Sequence, residues 1–532
     1  MATTAIKPNQ RELWGHPIGL YVLFLTEMWE RFSYYGMRGL LSLYMAAELT
    51  DAQGPGLGWT NAESLKLYGW YTMLVYLMSI PGGMIADKFL GQKRSVLIGA
   101  IILVLGHGTL AIEALWAFYT GLILIILGVG MLKPNISTMV GGLYGKNDIR
   151  RDKGFSIFYI GINTGSLLAT TIVGLVVAKW GWHAGFGLAG IGMLFGLLVY
   201  LWGQKYLVHV GNKTTEDEKK DQVPLSKLFG DLLKSSKHLI IVGILVILSI
   251  YYGGFVMYEV DHWAYAALFV FLSLVVGMLM MIYKSLRSQV EKDRFLVVLL
   301  SFMLVIVFWG AFEQAGGLMN LYTNDYTNRD LFGWQVPTIW FQSLNAGFII
   351  LFAVAVANFW AKRKLKNKEA SSLFKMATGT IIMGLGFVFM VFATMDYKSS
   401  GPVVEGVAGS GSAMYWLVLA YLFHTIGELS SSPVSLSFVT KLAPVRYASL
   451  MMGLYFASTG LGNKVAGLLG ESASDYGEYT VFLGITIFTV IFGLLVIAIL
   501  KPLKRLTHGA EDNEHEVLEQ ENYELGDPDI NN

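Results

Sequence analysis

The feature that leaves this chain fewest options is a succession of apolar blocks, each about twenty residues or longer, spread from residue 18 to residue 501. At about 1.5 Å per helical residue, such a block crosses the roughly 30 Å hydrocarbon layer of a bilayer. Candidate spans are 18–47, 63–86, 95–115, 117–143, 154–178, 184–206, 237–258, 262–284, 295–323, 337–361, 372–394, 413–440, 446–470 and 479–501. Charged residues make up 14% of the chain, well below the quarter usual in soluble domains, and mean hydropathy is +0.53. The reading is an all-α polytopic membrane protein with fourteen spans. The chain has no cysteine, which excludes disulfides, thiolate metal sites and cysteine nucleophiles. Its net charge of +1 gives no sign of a nucleic-acid partner.

Lys and Arg alternate along the connections. Lys88–Lys93–Arg94, Lys146–Arg150–Arg151–Lys153, Lys284–Arg287–Lys292–Arg294, Lys362–Arg363–Lys364–Lys366–Lys368 and Lys501–Lys504–Arg505 form one set. The intervening connections, such as 48–62, 257–263 and 471–478, are nearly free of them. The positive-inside rule puts the basic set, and with an even span count both termini, in the cytoplasm. The N-terminus lacks the short uncharged stretch and small-residue cleavage site of a signal peptide, so the first span is expected to remain in the mature protein. A mixed-charge run at Thr214–Asp221 marks a solvated linker at 207–236, and the acidic end 506–532 reads as a solvated tail.

Ionisable groups inside spans are costly and are functional candidates by default. At about 100° per residue, Glu27, Glu30, Arg31, Tyr34 and Arg38 fall on one helical face that lipid would not tolerate. The alternative is a structural ion-pair cluster. Lys133 sits deep in the fourth span beside Pro134, while Glu313 lies in the ninth and Glu428 in the twelfth, with Ser432 one turn further on. Either glutamate could instead be protonated and bonded to its helix. His107 has no acidic neighbour in sequence and reads as a helix-bonding residue more readily than as a proton relay. The Gly128–Gly130 run is no phosphate loop, since no strand precedes it. Paired-His metal spacing, a nucleophile elbow and nucleotide motifs are missing from the sequence, so no cofactor is expected.

At these residues the chain resembles the proton-dependent oligopeptide transporters of the major facilitator superfamily. Glu27–Gly36 fits the family's ExxERFxYYG, and Gly83–Arg94 is similar to the superfamily's loop between its second and third helices. Lys133-Pro134-Asn135, Phe158–Gly165 and Glu428–Pro433 match three more signatures. The resemblance covers nearly the whole chain. It implies twelve core helices in two six-helix halves around a central cavity, with two extra helices between them. The expected division is an N-terminal tail 1–17, halves 18–206 and 285–502, the linker 207–236, extra helices 237–284 and a tail 503–532.

The resemblance also implies roles. Arg31 and Lys133 would receive a peptide's carboxylate, Glu428 its ammonium, and Asn163 and Asn345 its backbone. Tyr34, Tyr35, Tyr76, Tyr159 and Trp309 would wall the pocket with Ser432 nearby, and Arg38 and Glu313 would latch the outer side. Two positions depart from the family pattern: Tyr455 stands where many members carry Trp, and Ala346 follows Asn345 where proline is frequent.

A short peptide has fixed charged ends and variable side chains, which suits a binder with separated positive and negative poles. Three buried cations (Arg31, Arg38, Lys133) face four acids (Glu27, Glu30, Glu313, Glu428), so one proton neutralises the set. The sequence-based expectation is a multi-pass carrier in the inner cell membrane, importing di- and tripeptides with protons as the coupling ion. Competing readings are a carrier of another small zwitterion or anion, a membrane-embedded enzyme using His107, and a receptor or channel.

Overall fold

The computed structural model describes residues 11–50, 54–144, 148, 150–212, 261–404, 407, 409–444 and 447–510. The extra span expected at 237–258, most of the linker and the acidic tail beyond 510 lie outside them. The first half comprises α1 (Ile18–Ala46), α2 (Asn61–Leu77), α3 (Ser79–Ile85), α4 (Gln92–Leu110), α5 (Leu115–Gly142), α6 (Arg150–Trp180) and α7 (Trp182–Gly203). Helix α8 (Asp261–Ser285) lies where the second extra span, 262–284, is expected. The second half comprises α9 (Gln289–Phe312), α10 (Leu318–Tyr326), α11 (Trp340–Leu365), α12 (Ser372–Ser400), α13 (Met414–Leu442), α14 (Ala448–Tyr476), α15 (Glu478–Ala498) and the short α16 (Leu500–Leu506).

Eight helical stretches among the described residues are long and apolar enough to cross a membrane. Helix α1, 29 residues long, is not one of them: it carries Glu27, Glu30, Arg31 and Arg38, and buries all four. Its polar face is therefore matched to protein rather than lipid, which is how a helix with such a face can remain at membrane depth. Helices α2 and α9 begin with reciprocal capping boxes, Thr60 with Glu63 and Ser288 with Glu291, which satisfy amide groups that a helix start leaves unpaired.

The two halves repeat one plan. Helix α4 packs on α5 as α12 packs on α13, and glycines set both contacts. A Cβ on Gly99 would come 2.8 Å from the Gly128 carbonyl oxygen, and one on Gly379 2.6 Å from that of Gly427. Proline stands inside α5 at Pro134 and inside α13 at Pro433. A single glycine at positive φ turns α6 into α7 (Gly181, φ 84°) and α14 into α15 (Gly477, φ 79°), a conformation that residues with a Cβ rarely adopt.

Two expected spans are broken. The span at 63–86 divides at Met78 into α2 and α3 and then widens into a π turn at Ala86–Leu90. The span at 295–323 stops at Phe312, passes through a 3-10 turn at Glu313–Ala315 and resumes as α10 after Gly317. Gly316 and Gly317 follow the 3-10 turn at that second break, which sets Glu313 at a helix end.

The halves meet along α2 against α14 and α6 against α11. At the first seam a Cβ on Gly467 would lie 2.7 Å from the Gly69 Cα, so the backbones touch. Small residues permit such approaches between membrane helices. Gly467→Ala is therefore expected to cost about 1–3 kcal/mol, typical of overpacking, and to lower the melting temperature in detergent. Gly484→Ala, where a Cβ meets nothing within 4 Å, should leave it unchanged or raised.

Candidate transport site

The site is built outward from α1. Glu27, Glu30 and Arg31 are 2%, 0% and 2% exposed. Arg31 Nε donates to Glu27 Oε1 at 2.9 Å and lies 2.6 Å from Glu30 Oε2, so one guanidinium is held by two carboxylates. The grip is incomplete. Arg31 Nη2, Glu27 Oε2 and Glu30 Oε1 are buried without a hydrogen-bond partner, as is the Tyr34 hydroxyl. The Arg31 guanidinium also lies over the rings of Tyr34 (5.6 Å) and Tyr35 (6.0 Å).

Lys133, on α5 beside Pro134, puts its Nζ 3.8 Å from the ring centre of Tyr76 on α2, a cation–π contact. It interacts electrostatically with Arg31, Glu30, Glu27 and Glu313. Two cations on neighbouring helices thus form a cationic pole whose charge Glu27 and Glu30 balance when both are ionised.

The opposite pole lies on α11 and α13. Glu428 is 8% exposed and accepts a 2.8 Å bond from Asn345 Nδ2, which also reaches Thr425 Oγ1 at 3.1 Å. The amide of Asn345, expected to face a ligand, is engaged by the acid beside it. Tyr159, 39% exposed, lies near enough to Glu428 for that carboxylate's charge to act on its phenol. Asn163 Nδ2 bonds back to the Tyr159 carbonyl at 3.0 Å. Trp309 stands edge-on to Phe312 and packs on Gly462 of α14. The Ser432 hydroxyl is buried without a hydrogen-bond partner.

Arg38 and Glu313 join the two halves. Arg38 Nη1 reaches both Glu313 oxygens, at 2.9 and 3.2 Å, and Tyr68 OH donates to Oε1 at 2.7 Å. Around them, Ser42 donates to the Gly316 carbonyl at 2.8 Å, and Asn320 bonds the Gly39 carbonyl and the Ser42 hydroxyl at 3.0 Å each. Thr170 with Ser343 (2.6 Å), and Trp340 with the Thr171 carbonyl (2.9 Å), clasp α6 to the start of α11. These bonds gather at the end of the molecule where α1 finishes and α11 begins.

Tyr68 and Thr425 were not anticipated from sequence. Tyr68 lies in an aromatic-rich stretch, Tyr68-Gly69-Trp70-Tyr71, where nothing distinguishes one phenol from the next. Thr425 gives no signal beyond standing three residues before Glu428. His107, expected as a helix-bonding residue, is fully buried with Nε2 2.6 Å from Ser33 Oγ, tying α4 to the back of α1. No cluster of His, Asp and Glu among the described residues could hold a metal ion.

Two helical halves clasped at one end, with buried charges of both signs between them, define a membrane transporter of major facilitator type. The chain belongs to the POT family, whose family model matches residues 93–481. It is 37% identical over 525 residues to the peptide transporter YePEPT of Yersinia enterocolitica, covering 96% of this chain and 99% of that one. A di-/tripeptide transporter of Lactococcus lactis subsp. cremoris is 34% identical over 514 residues, covering 94% and 98%. The solved structure of a POT family transporter in complex with 5-aminolevulinic acid superposes with a TM-score of 0.75 at 31% identity, covering 93% of this chain and 98% of that one. The family is one of transporters, not enzymes.

The clasp predicts a double-mutant cycle. Arg38→Glu and Glu313→Arg should each impair uptake severely, and the double exchange should recover part of it, because only a pair in contact couples. Tyr68→Phe, which removes one hydrogen bond to a charged group worth about 1.5–3 kcal/mol, should weaken the clasp without abolishing uptake. Additive losses in the cycle would show that the pair does not work as a unit.

Proposed function

We propose that this protein is a proton-coupled symporter that imports di- and tripeptides across the cell membrane by alternating access. The observation that carries this reading is the paired arrangement of poles: Arg31 and Lys133 on one side, Glu428 with Asn345 on the other. A peptide's carboxylate and ammonium fit these poles, its amides suit Asn163 and Asn345, and Tyr34, Tyr35, Tyr76, Tyr159 and Trp309 give walls tolerant of varied side chains. Charge-assisted hydrogen bonds to a planar guanidinium supply the strongest contact available to a carboxylate.

In this reading the basic connections and both termini are cytoplasmic, so the Arg38–Glu313 end is outer and closed. The halves 18–206 and 285–502 rock about the cavity between them. With Glu27 and Glu30 both ionised, Arg31 is occupied. A proton on either acid loosens that hold and frees the guanidinium for the peptide carboxylate, so proton and peptide binding favour one another.

A second reading, transport of a non-peptide zwitterion, is favoured by the relative solved with 5-aminolevulinic acid, which has the same two charged ends. Uptake into proteoliposomes under an imposed pH gradient and controlled voltage separates the two: dipeptides should accumulate and compete against shorter amino acids. Glu428→Gln should weaken ordinary dipeptides about ten- to a hundredfold while sparing analogues with a blocked N-terminus. Equal losses for both ligand types would remove Glu428 from the ammonium site.

A further inference from the structure

On the surface of the second half, a groove of about 440 Å³ runs between α11, α12 and α13. Val356 and Phe359 of α11, Ile382 of α12 and Ile426 of α13 make its walls apolar. Phe359 is 57% exposed in a stretch of α11 where Val354 and Leu351 are exposed too. Such a face belongs against hydrocarbon chains.

The groove is not apolar throughout. Arg363 lines it, stacked 5.3 Å from the Phe374 ring and donating Nε to the Glu369 carbonyl at 2.7 Å. Glu369 has its carboxylate occupied by Lys504 and the Ser371 amide, both at 2.9 Å. Lys362, Lys364, Lys366 and Lys368 surround this end of α11, whereas no acid lines the groove. Thr378 adds a hydroxyl to the groove wall. Thr380 bonds back to the Met376 carbonyl at 3.0 Å, as hydroxyls in helices commonly do, but Thr378, a residue of the groove wall, has its Oγ1 buried with no hydrogen-bond partner. The groove therefore combines an apolar channel, a hydroxyl donor without an acceptor, and a guanidinium within a basic cluster.

We propose that this groove seats one anionic glycerophospholipid, its phosphate on Arg363, its glycerol ester oxygens accepting from Thr378, and an acyl chain along Val356, Phe359 and Ile426. Basic pockets between membrane helices are suited to anionic head groups. The occupied groove braces α11 against α13 beside the bond from Trp360 Nε1 to Ser430 Oγ, 3.2 Å long. Since Asn345 and Glu428 sit on those same two helices, the lipid supports the acidic pole from outside, whatever substrate that pole receives.

The test is native mass spectrometry and thermal unfolding of the purified full-length protein, delipidated and titrated with phosphatidylglycerol, phosphatidylcholine or sn-glycerol 3-phosphate. One phosphatidylglycerol should bind in preference to phosphatidylcholine and raise the melting temperature, while sn-glycerol 3-phosphate does neither. Arg363→Gln should weaken that binding about tenfold or more, the loss of one charge-assisted contact. Val356→Trp, which fills the channel, and the near-isosteric Thr378→Val should each weaken it as well. Phosphatidylglycerol binding unchanged in Arg363→Gln and Val356→Trp, or matched by phosphatidylcholine, would overturn the proposal. Stabilisation by sn-glycerol 3-phosphate equal to that by the lipid would overturn it too, by making the site one for a free anion.

Discussion

Everything else in this molecule is arranged around one guanidinium held by two carboxylates inside a membrane. Arg31, Glu27 and Glu30 are all but fully buried on the same helix, where isolated charges would each cost several kcal/mol. Their mutual contacts offset much of that cost, but two acids face one base, and the remaining negative charge has to be met from elsewhere. Lys133 meets it from α5. The cluster thus forces α1 into the interior of its half, covered by α6 and α7, and fixes where the second cation stands.

The internal repetition of the fold explains how an opposite pole arises facing this one. Pro134 lies next to Lys133 on α5, and Pro433 next to Ser432 on α13, the helix that carries Glu428. Two equivalent helices, one in each half and each with a proline inside it, carry side chains of opposite sign. The clasp between Arg38, Tyr68 and Glu313 closes one end of that interior with the same economy: each charge is neutralised by a partner from the other half, so separating the halves exposes both groups to water together.

Much of this was legible in the sequence because charge within an apolar run is conspicuous. Glu27, Glu30, Arg31, Arg38, Lys133, Glu313 and Glu428 all stand out against hydrocarbon-length blocks, and helical spacing put five residues on one face of the first span. What escaped notice was polar but uncharged, or conformational. Tyr68 is one phenol among several, and Thr425 is ordinary in any helix. The break at Glu313–Gly317 ends α9 and lets Glu313 reach across to α1. The bond between Asn345 and Glu428 joins helices 83 residues apart in sequence, a separation at which no local pattern carries information. The pairing of Arg38 with Glu313 came from family resemblance, and its distance came only from the fold.

The central claim is that protonating the Glu27–Glu30 pair releases Arg31 for the substrate, and Glu30→Gln tests it most directly by imitating the protonated acid. Reconstituted into liposomes, this variant should still bind peptide and exchange labelled for unlabelled peptide across the membrane at rates near the parent protein's. Under an imposed pH gradient it should fail to accumulate peptide above equilibrium, because the proton no longer has a site whose occupancy matters. Gradient-driven accumulation at the parent level in Glu30→Gln, and again in Glu27→Gln, would contradict the account and leave these acids with a structural role alone.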